Sequence, residues 1–124
     1  MEHAYSTAID LNARTIHDRP ETLNSVTAHE FFHLWNVKRI RPAGLTPYRY
    51  EEENYTKLLW WFEGATSYFD WRILRMSGLA TPEEYLEHLG EELGRLEDTP
   101  GRMMQSASEA SFDVPVRSSS PVTL

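Results

Sequence analysis

Read for its apolar and polar positions, the chain divides into stretches of helical spacing separated by breaks that carry proline or glycine. Residues 6–14, STAIDLNAR, alternate loosely and predict a short strand; residues 15–24, TIHDRPETLN, predict a loop punctuated by Pro20. A helix is expected to start between Thr22 and Ser25 and to run through Trp35, carrying Leu23, Val26, Phe31, Leu34 and Trp35. Pro42, Gly44 and Pro47 make residues 41–55 an ordered loop. From Thr56 to about Met76 the chain is apolar on most sides (LLWWFEGATSYFDWRIL), the pattern of a helix inside a core. Ser77-Gly78 closes that helix, with Gly78 just past its end. Thr81-Pro82-Glu83-Glu84 then predicts a new start: threonine as N-cap, proline in the first helical position, glutamate at N3. This helix should reach about Leu96, with Tyr85, Leu86, Leu89 and Leu93 on its inner stripe. DTPG (98–101) reads as a turn, and a shorter helix is expected around 102–110. The final segment, VPVRSSSPVTL (114–124), has few packing residues and is expected to be loose. The pattern is that of a mainly α fold with a short β element near the N-terminus, and no internal repeat is visible.

Composition narrows this further. At 124 residues the chain suits one domain with one core, and 40% apolar with 25% charged residues is a globular balance. Twelve basic against 19 acidic side chains leave a net charge of -7, which argues against nucleic acid as a partner. No apolar run approaches the length of a membrane span, and MEHAYSTAID lacks the basic and apolar regions of a signal peptide, so no membrane partner is expected. There is no cysteine. Any bound metal must therefore be held by His, Asp or Glu.

Such residues cluster in VTAHEFFHLWNVKRIRP (26–42), where His29-Glu30-Phe31-Phe32-His33 has the spacing H-E-x-x-H. On an α-helix, positions i and i+4 lie about 40° apart and one turn along the axis. Two imidazoles so placed can converge on one ion at roughly 2.0–2.1 Å. Glu30, next to the first of them, can reach water at that ion and act as general base. Chance produces this short pattern too, but here it falls on a helix with large apolar flanks, which lower the local dielectric.

A catalytic zinc site needs a third protein ligand. Glu52 follows His33 by 19 positions but lies in the acidic run YEEENY, where a solvated charge cluster is the plainer reading. Glu63 follows by 30 positions and lies on the most apolar segment, where a carboxylate is costly unless paired or coordinated. The competing reading is a salt bridge from Glu63 to Arg39, Arg41 or Arg72; Glu63 is preferred as the ligand. Asp70, seven positions after Glu63 and so on the same helical face, is the candidate to accept a hydrogen bond from a ligand imidazole, against a surface pair with Arg72 or Arg75. Tyr48, Tyr50, Tyr55, Tyr68 and Tyr85 could each support an oxyanion, and nothing in the sequence chooses among them. His17 and His88 read as surface histidines, and Trp35, Trp60, Trp61 and Trp71 as core residues.

AHEFFHLWNVKRIRP followed by LLWWFEGATSYFD resembles the PDZ-containing glycyl aminopeptidase family, thermolysin-like zincins of the glutamate-ligand type (gluzincins) distantly similar to aminopeptidase N. His29, Glu30, His33, Trp35, Asn36, Lys38, Arg39 and Pro42 match the first part of the family pattern. Leu59, Trp60, Glu63, Gly64, Thr66 and Tyr68 match the second. GLATPEEYL (78–86) and PGRMMQSASEASFD (100–113) also look familial, so the likeness runs from about residue 1 to 113. It implies a thermolysin-like zincin core over 1–113, with Zn²⁺ on His29, His33 and Glu63 and Glu30 as catalytic base. It further implies that Glu2, in a remnant of the family's Gly-Gly-(Met/Leu)-Glu-His segment, pairs with the free α-amino group of a peptide substrate. Relatives carry flanking β-rich and PDZ domains too large for this length, so the chain looks like a catalytic core cut from a larger parent. The expected activity is zinc-dependent aminopeptidase hydrolysis; the alternative is an inert zinc-binding or interaction fragment.

Overall fold

The computed structural model describes residues 2–3, 6–47, 49 and 51–114, without the side chains of 2, 3 and 6. The chain enters as a two-stranded antiparallel pair, β1 (Glu2–His3) and β2 (Ser6–Thr7), in register Glu2 to Thr7 and His3 to Ser6. The strand expected over 6–14 stops at Thr7, because Asn12 caps a helix: its side-chain oxygen accepts from the Arg14 N–H, and α1 (Ala13–Asp18) follows. Helix α2 (Glu21–Phe32) starts directly after Pro20, whose missing N–H separates it from α1. It ends at Phe32 rather than Trp35, and residues 33–40 form a compact turn closed by a bridge between Asn36 and Ile40.

In the loop that follows, a 3₁₀ turn (Ala43–Leu45) buries Leu45. The Asn54 amide holds its later part by donating to the carbonyls of Arg49 and Glu52 and accepting from the Arg49 N–H. Helix α3 (Leu59–Ser77) ends at Gly78, whose φ of 79° lies in the left-handed region and lets Leu79 and Ala80 N–H groups return to the Leu74 carbonyl. Helix α4 (Pro82–Asp98) opens with the expected capping box, the Thr81 N–H donating to the Glu84 carboxylate and the Glu84 N–H to the Thr81 hydroxyl oxygen. The helix expected around 102–110 is split: Pro100–Met103 is a 3₁₀ turn, and a second capping box, Ser106 with Glu109, starts α5 (Ala107–Phe112). Of the expected loose tail, only Val114 falls among the described residues.

Packing centres on α2 against α3. Ala28 is small enough to let the two helices close on Leu74 and Ala80, with Trp71 and Ile73 at the margin. Phe32 stacks on Phe69 at 4.9 Å, joining the same two helices nearer the turn. Ser111 fixes α5 to the start of α3 by accepting from the Trp60 N–H at 2.9 Å. Two expectations fail here. Helix α3 is not enclosed: Trp60, Trp61, Tyr68 and Phe69 are exposed, and so is Trp35; Trp71 alone of the four tryptophans lines the core. The inner stripe of α4 is half right: Tyr85 and Leu89 are partly covered, but Leu86 and Leu93 are exposed. His88 takes their place, stacked on Trp71 at 4.3 Å and therefore not the surface histidine its polarity suggested.

Candidate metal centre

The end of α2 and the second turn of α3 bring three side chains to one point. His29 and His33 meet edge to face, their Nε2 atoms 3.1 Å apart. Glu63 reaches across from α3, its Oε2 at 3.4 Å from His29 Nε2 and 3.7 Å from His33 Nε2. The outer ring nitrogens are already engaged: His29 Nδ1 lies 3.2 Å from Asp70 Oδ2, and His33 Nδ1 lies 3.0 Å from the Asn36 carbonyl. A carboxylate and a carbonyl can only accept, so each Nδ1 carries the hydrogen. In the neutral rings each Nε2 then presents a lone pair, facing the other and the carboxylate.

Three electron pairs so close repel one another unless something positive lies between them. Tetrahedral coordination with bonds of 2.0–2.1 Å separates neighbouring ligand atoms by about 3.4 Å. The three observed separations bracket that value. Two imidazole nitrogens and a carboxylate oxygen are also a donor set that suits a divalent metal with an open position. The residues therefore fit a metal ion.

Without an ion, protons take its role. Burial opposes charge on His29, but the carboxylates of Asp70 and Glu63 outweigh it and raise its pKa to about 9. His33 is also raised, burial again being outweighed, here mainly by Glu63 and the Asn36 carbonyl. Partial burial would raise Glu63, yet hydrogen bonds and charge from the two histidines lower it to about 2. Its side chain remains 53% exposed, so the premise that Glu63 lies buried in an apolar helix is wrong; pairing with the histidines holds it, rather than enclosure.

Around the three, Asp70 is buried, and its other oxygen accepts from the Trp71 N–H, which fixes the carboxylate facing His29. Glu30 lies outside the triad, and its Oε2 accepts from the Thr7 hydroxyl of β2 at 3.2 Å. Glu52 pairs instead with Arg49 and takes no part. Arg39 donates to the Leu34 carbonyl over the Trp35 ring and Arg41 to the Val37 carbonyl, so neither bears out the salt-bridge reading of Glu63. The Glu2 side chain, Tyr48 and Tyr50 lie outside the described residues. Tyr55 donates to Glu53, and Tyr68 lies edge to face against Phe69. Sequence reasoning passed over Thr7, which carries no signal of its own; it marked the buried pair Asn36 and Thr66 as matches to the family pattern but gave them no role.

A family model described as M61 glycyl aminopeptidase matches residues 22–122, a span that takes in α2 through α5 and all three converging side chains. The chain belongs to the M61 glycyl aminopeptidase family. Among solved structures, this M61 chain is similar to an aminopeptidase N family protein from Idiomarina loihiensis, with 39% identity over 86% of its residues and a TM-score of 0.72. It spans only 17% of that protein's length. None of the curated proteins matches it. The mainly helical fold is thus that of a part of a family of peptidases.

Proposed function

We propose that this chain carries the metal-binding and proton-transfer residues of a zinc aminopeptidase. The observation that carries this reading is the triangle of His29 Nε2, His33 Nε2 and Glu63 Oε2, with both outer nitrogens already satisfied. His29, His33 and Glu63 would hold Zn²⁺, and Asp70 would keep His29 in the tautomer that ligation requires. The ion, when bound, acidifies water and polarises the scissile carbonyl. Glu30 takes a proton from the attacking water and passes it to the leaving amine nitrogen. The Thr7 hydroxyl holds one oxygen of Glu30 and so limits its rotamers during both transfers. Glu2, one strand away in the same hairpin, would pair with the α-amino group of the substrate peptide, with glycine preferred at its N-terminus as the family's description suggests. Residues 1–113 would form the core of a larger protein whose β-rich and PDZ domains complete the cleft.

A second reading has its own support. The chain covers a small share of its solved relative, and many aromatic residues lie exposed, which suits a piece that binds metal but needs further walls to turn over substrate. Zinc content and release of N-terminal residues from short peptides, measured for the chain, Glu30→Gln and Glu63→Gln, separate the two. The aminopeptidase reading expects Glu30→Gln to keep zinc while turnover falls about 10²–10⁴-fold. Glu63→Gln should lose both. Zinc uptake with no turnover in the parent chain favours the inert fragment, and no zinc uptake refutes both.

A further inference from the structure

Asn36 is almost fully buried, 4% exposed, in the turn between the two ligand-bearing helices, and its hydrogen bonds run in both directions. Its carbonyl accepts from His33 Nδ1 at 3.0 Å. Its side-chain amide donates to the carbonyls of Trp61 at 3.5 Å and Phe62 at 3.2 Å, and to the Thr66 hydroxyl at 3.1 Å. Phe62 directly precedes Glu63 in α3. Thr66, the most deeply buried side chain described, passes its own hydroxyl hydrogen to that same Phe62 carbonyl. No local chain geometry fixes the distance from His33 to Glu63, since 30 positions separate them. One residue spans that gap through hydrogen bonds.

We propose that Asn36 is the positioning residue that sets the separation between the second imidazole and the carboxylate of the triad; this rests on reading His29, His33 and Glu63 as metal ligands. The chemistry requires an amide. Every group that faces its nitrogen is an acceptor: two carbonyls, and a hydroxyl whose hydrogen is already committed. Aspartate has the same size but directs a negative oxygen at all three, so Asn36→Asp reverses attraction into repulsion without changing volume. The turn should then lift from α3 and carry His33 away from Glu63.

The test compares the parent chain with Asn36→Asp and Ser111→Ala. Ser111 is a useful control because it too is buried and bonded to α3, at the Trp60 N–H, yet touches no residue of the triad. Zinc affinity is measured by chelator competition, ligand geometry by the visible spectrum of the cobalt-substituted protein, and stability by melting of the metal-free protein. Asn36→Asp is expected to weaken zinc binding about 10- to 100-fold and to alter the cobalt spectrum. Ser111→Ala should lower the melting temperature while affinity and spectrum stay those of the parent. If circular dichroism shows Asn36→Asp unfolded, Thr66→Val decides, with Thr66→Ser as its rescue: the valine variant loses affinity and the serine variant regains it. Parent-like affinity and cobalt spectrum in a folded Asn36→Asp, or in Thr66→Val, overturn the inference alone. A parent chain that takes up no zinc overturns the metal centre and this inference with it.

Discussion

His29 owes its raised pKa to Asp70 and Glu63, and Glu63 its lowered one to His29 and His33, which makes the metal-free protein sensitive to pH on two sides. His29 is raised from 6.5 to about 9, so its contribution to stability is complete below pH 6.5 and disappears as pH rises through about 9. Glu63 is lowered from 4.5 to about 2, so its contribution is present above pH 4.5 and disappears as pH falls through about 2. As far as these two groups decide, metal-free stability is greatest between about pH 4.5 and 6.5. Urea unfolding of the metal-free chain should therefore show a midpoint that declines from pH 6.5 to 9; a flat midpoint across that window contradicts the assignment. On the proposed metal reading, uptake would have to expel the His29 proton, so apparent affinity should rise by at least about tenfold per pH unit on the approach to pH 9. Of the residues in this network, the H-E-x-x-H spacing marks His29, Glu30 and His33, and the seven-residue helical step marks Asp70. Thr7 carries no such mark, and Asn36 matches the family pattern without its role being legible, because what both do depends on hydrogen bonds to distant parts of the chain.

Two turns, one after each ligand-bearing helix, treat backbone strain in opposite ways. Gly78 ends α3 at φ 79°, where nothing stands within 4 Å of the place a Cβ would occupy. Gly78→Ala therefore meets no clash, and its cost is conformational alone: a loss of about 1 kcal/mol in denaturant unfolding is expected. An unchanged stability would mean that the helix end does not depend on the left-handed residue. Val37, by contrast, holds φ 117° with a β-branched side chain, directly after the Asn36 carbonyl that receives His33. Such strain costs about 1–3 kcal/mol. Against it stand the entropy of glycine, about 0.5–1 kcal/mol, and the loss of a half-buried valine, roughly 1 kcal/mol. Val37→Gly should thus fall between a loss of about 1 kcal/mol and a gain of about 1.5 kcal/mol, close to no net change. A larger loss would show that the valine side chain, rather than the φ it tolerates, matters to this turn.

Across the whole molecule the apolar residues divide unevenly. Among the described residues few large ones are buried, chiefly Leu45, Phe62 and Leu74, while Leu86, Leu93 and Leu96 of α4 and the tryptophans at the start of α3 face outward. Exposure decides the cost of change. Phe62→Ala should cost about 3–5 kcal/mol, whereas Leu93→Gln, at a side chain left in solvent, should stay within about 0.5 kcal/mol. Paired unfolding curves check this, and equal losses would mean that α4 buries its leucines in solution. With so small a core, zinc bound on the proposed reading would add a large share of stability: at a hundred times its dissociation constant it would contribute about 2.7 kcal/mol.

By itself the sequence determined the helices and their ends where the signal is local: Thr81 with Glu84 opening α4, Gly78 closing α3, and the one-turn spacing of His29 and His33. These depend on interactions within four or five residues, which a linear reading contains. It misjudged burial, treating Leu86, Leu93 and three tryptophans as inner residues, because apolar character says what a side chain avoids and not which surface is there to cover it. The sequence already preferred Glu63 to Glu52, but only the tertiary structure decided how closely Glu63 approaches the imidazoles, that Thr7 reaches Glu30, and that Asn36 joins the turn to α3. Each of those contacts links positions far apart in the chain. Such distances are set when α2 closes on α3, and no stretch of sequence holds them alone.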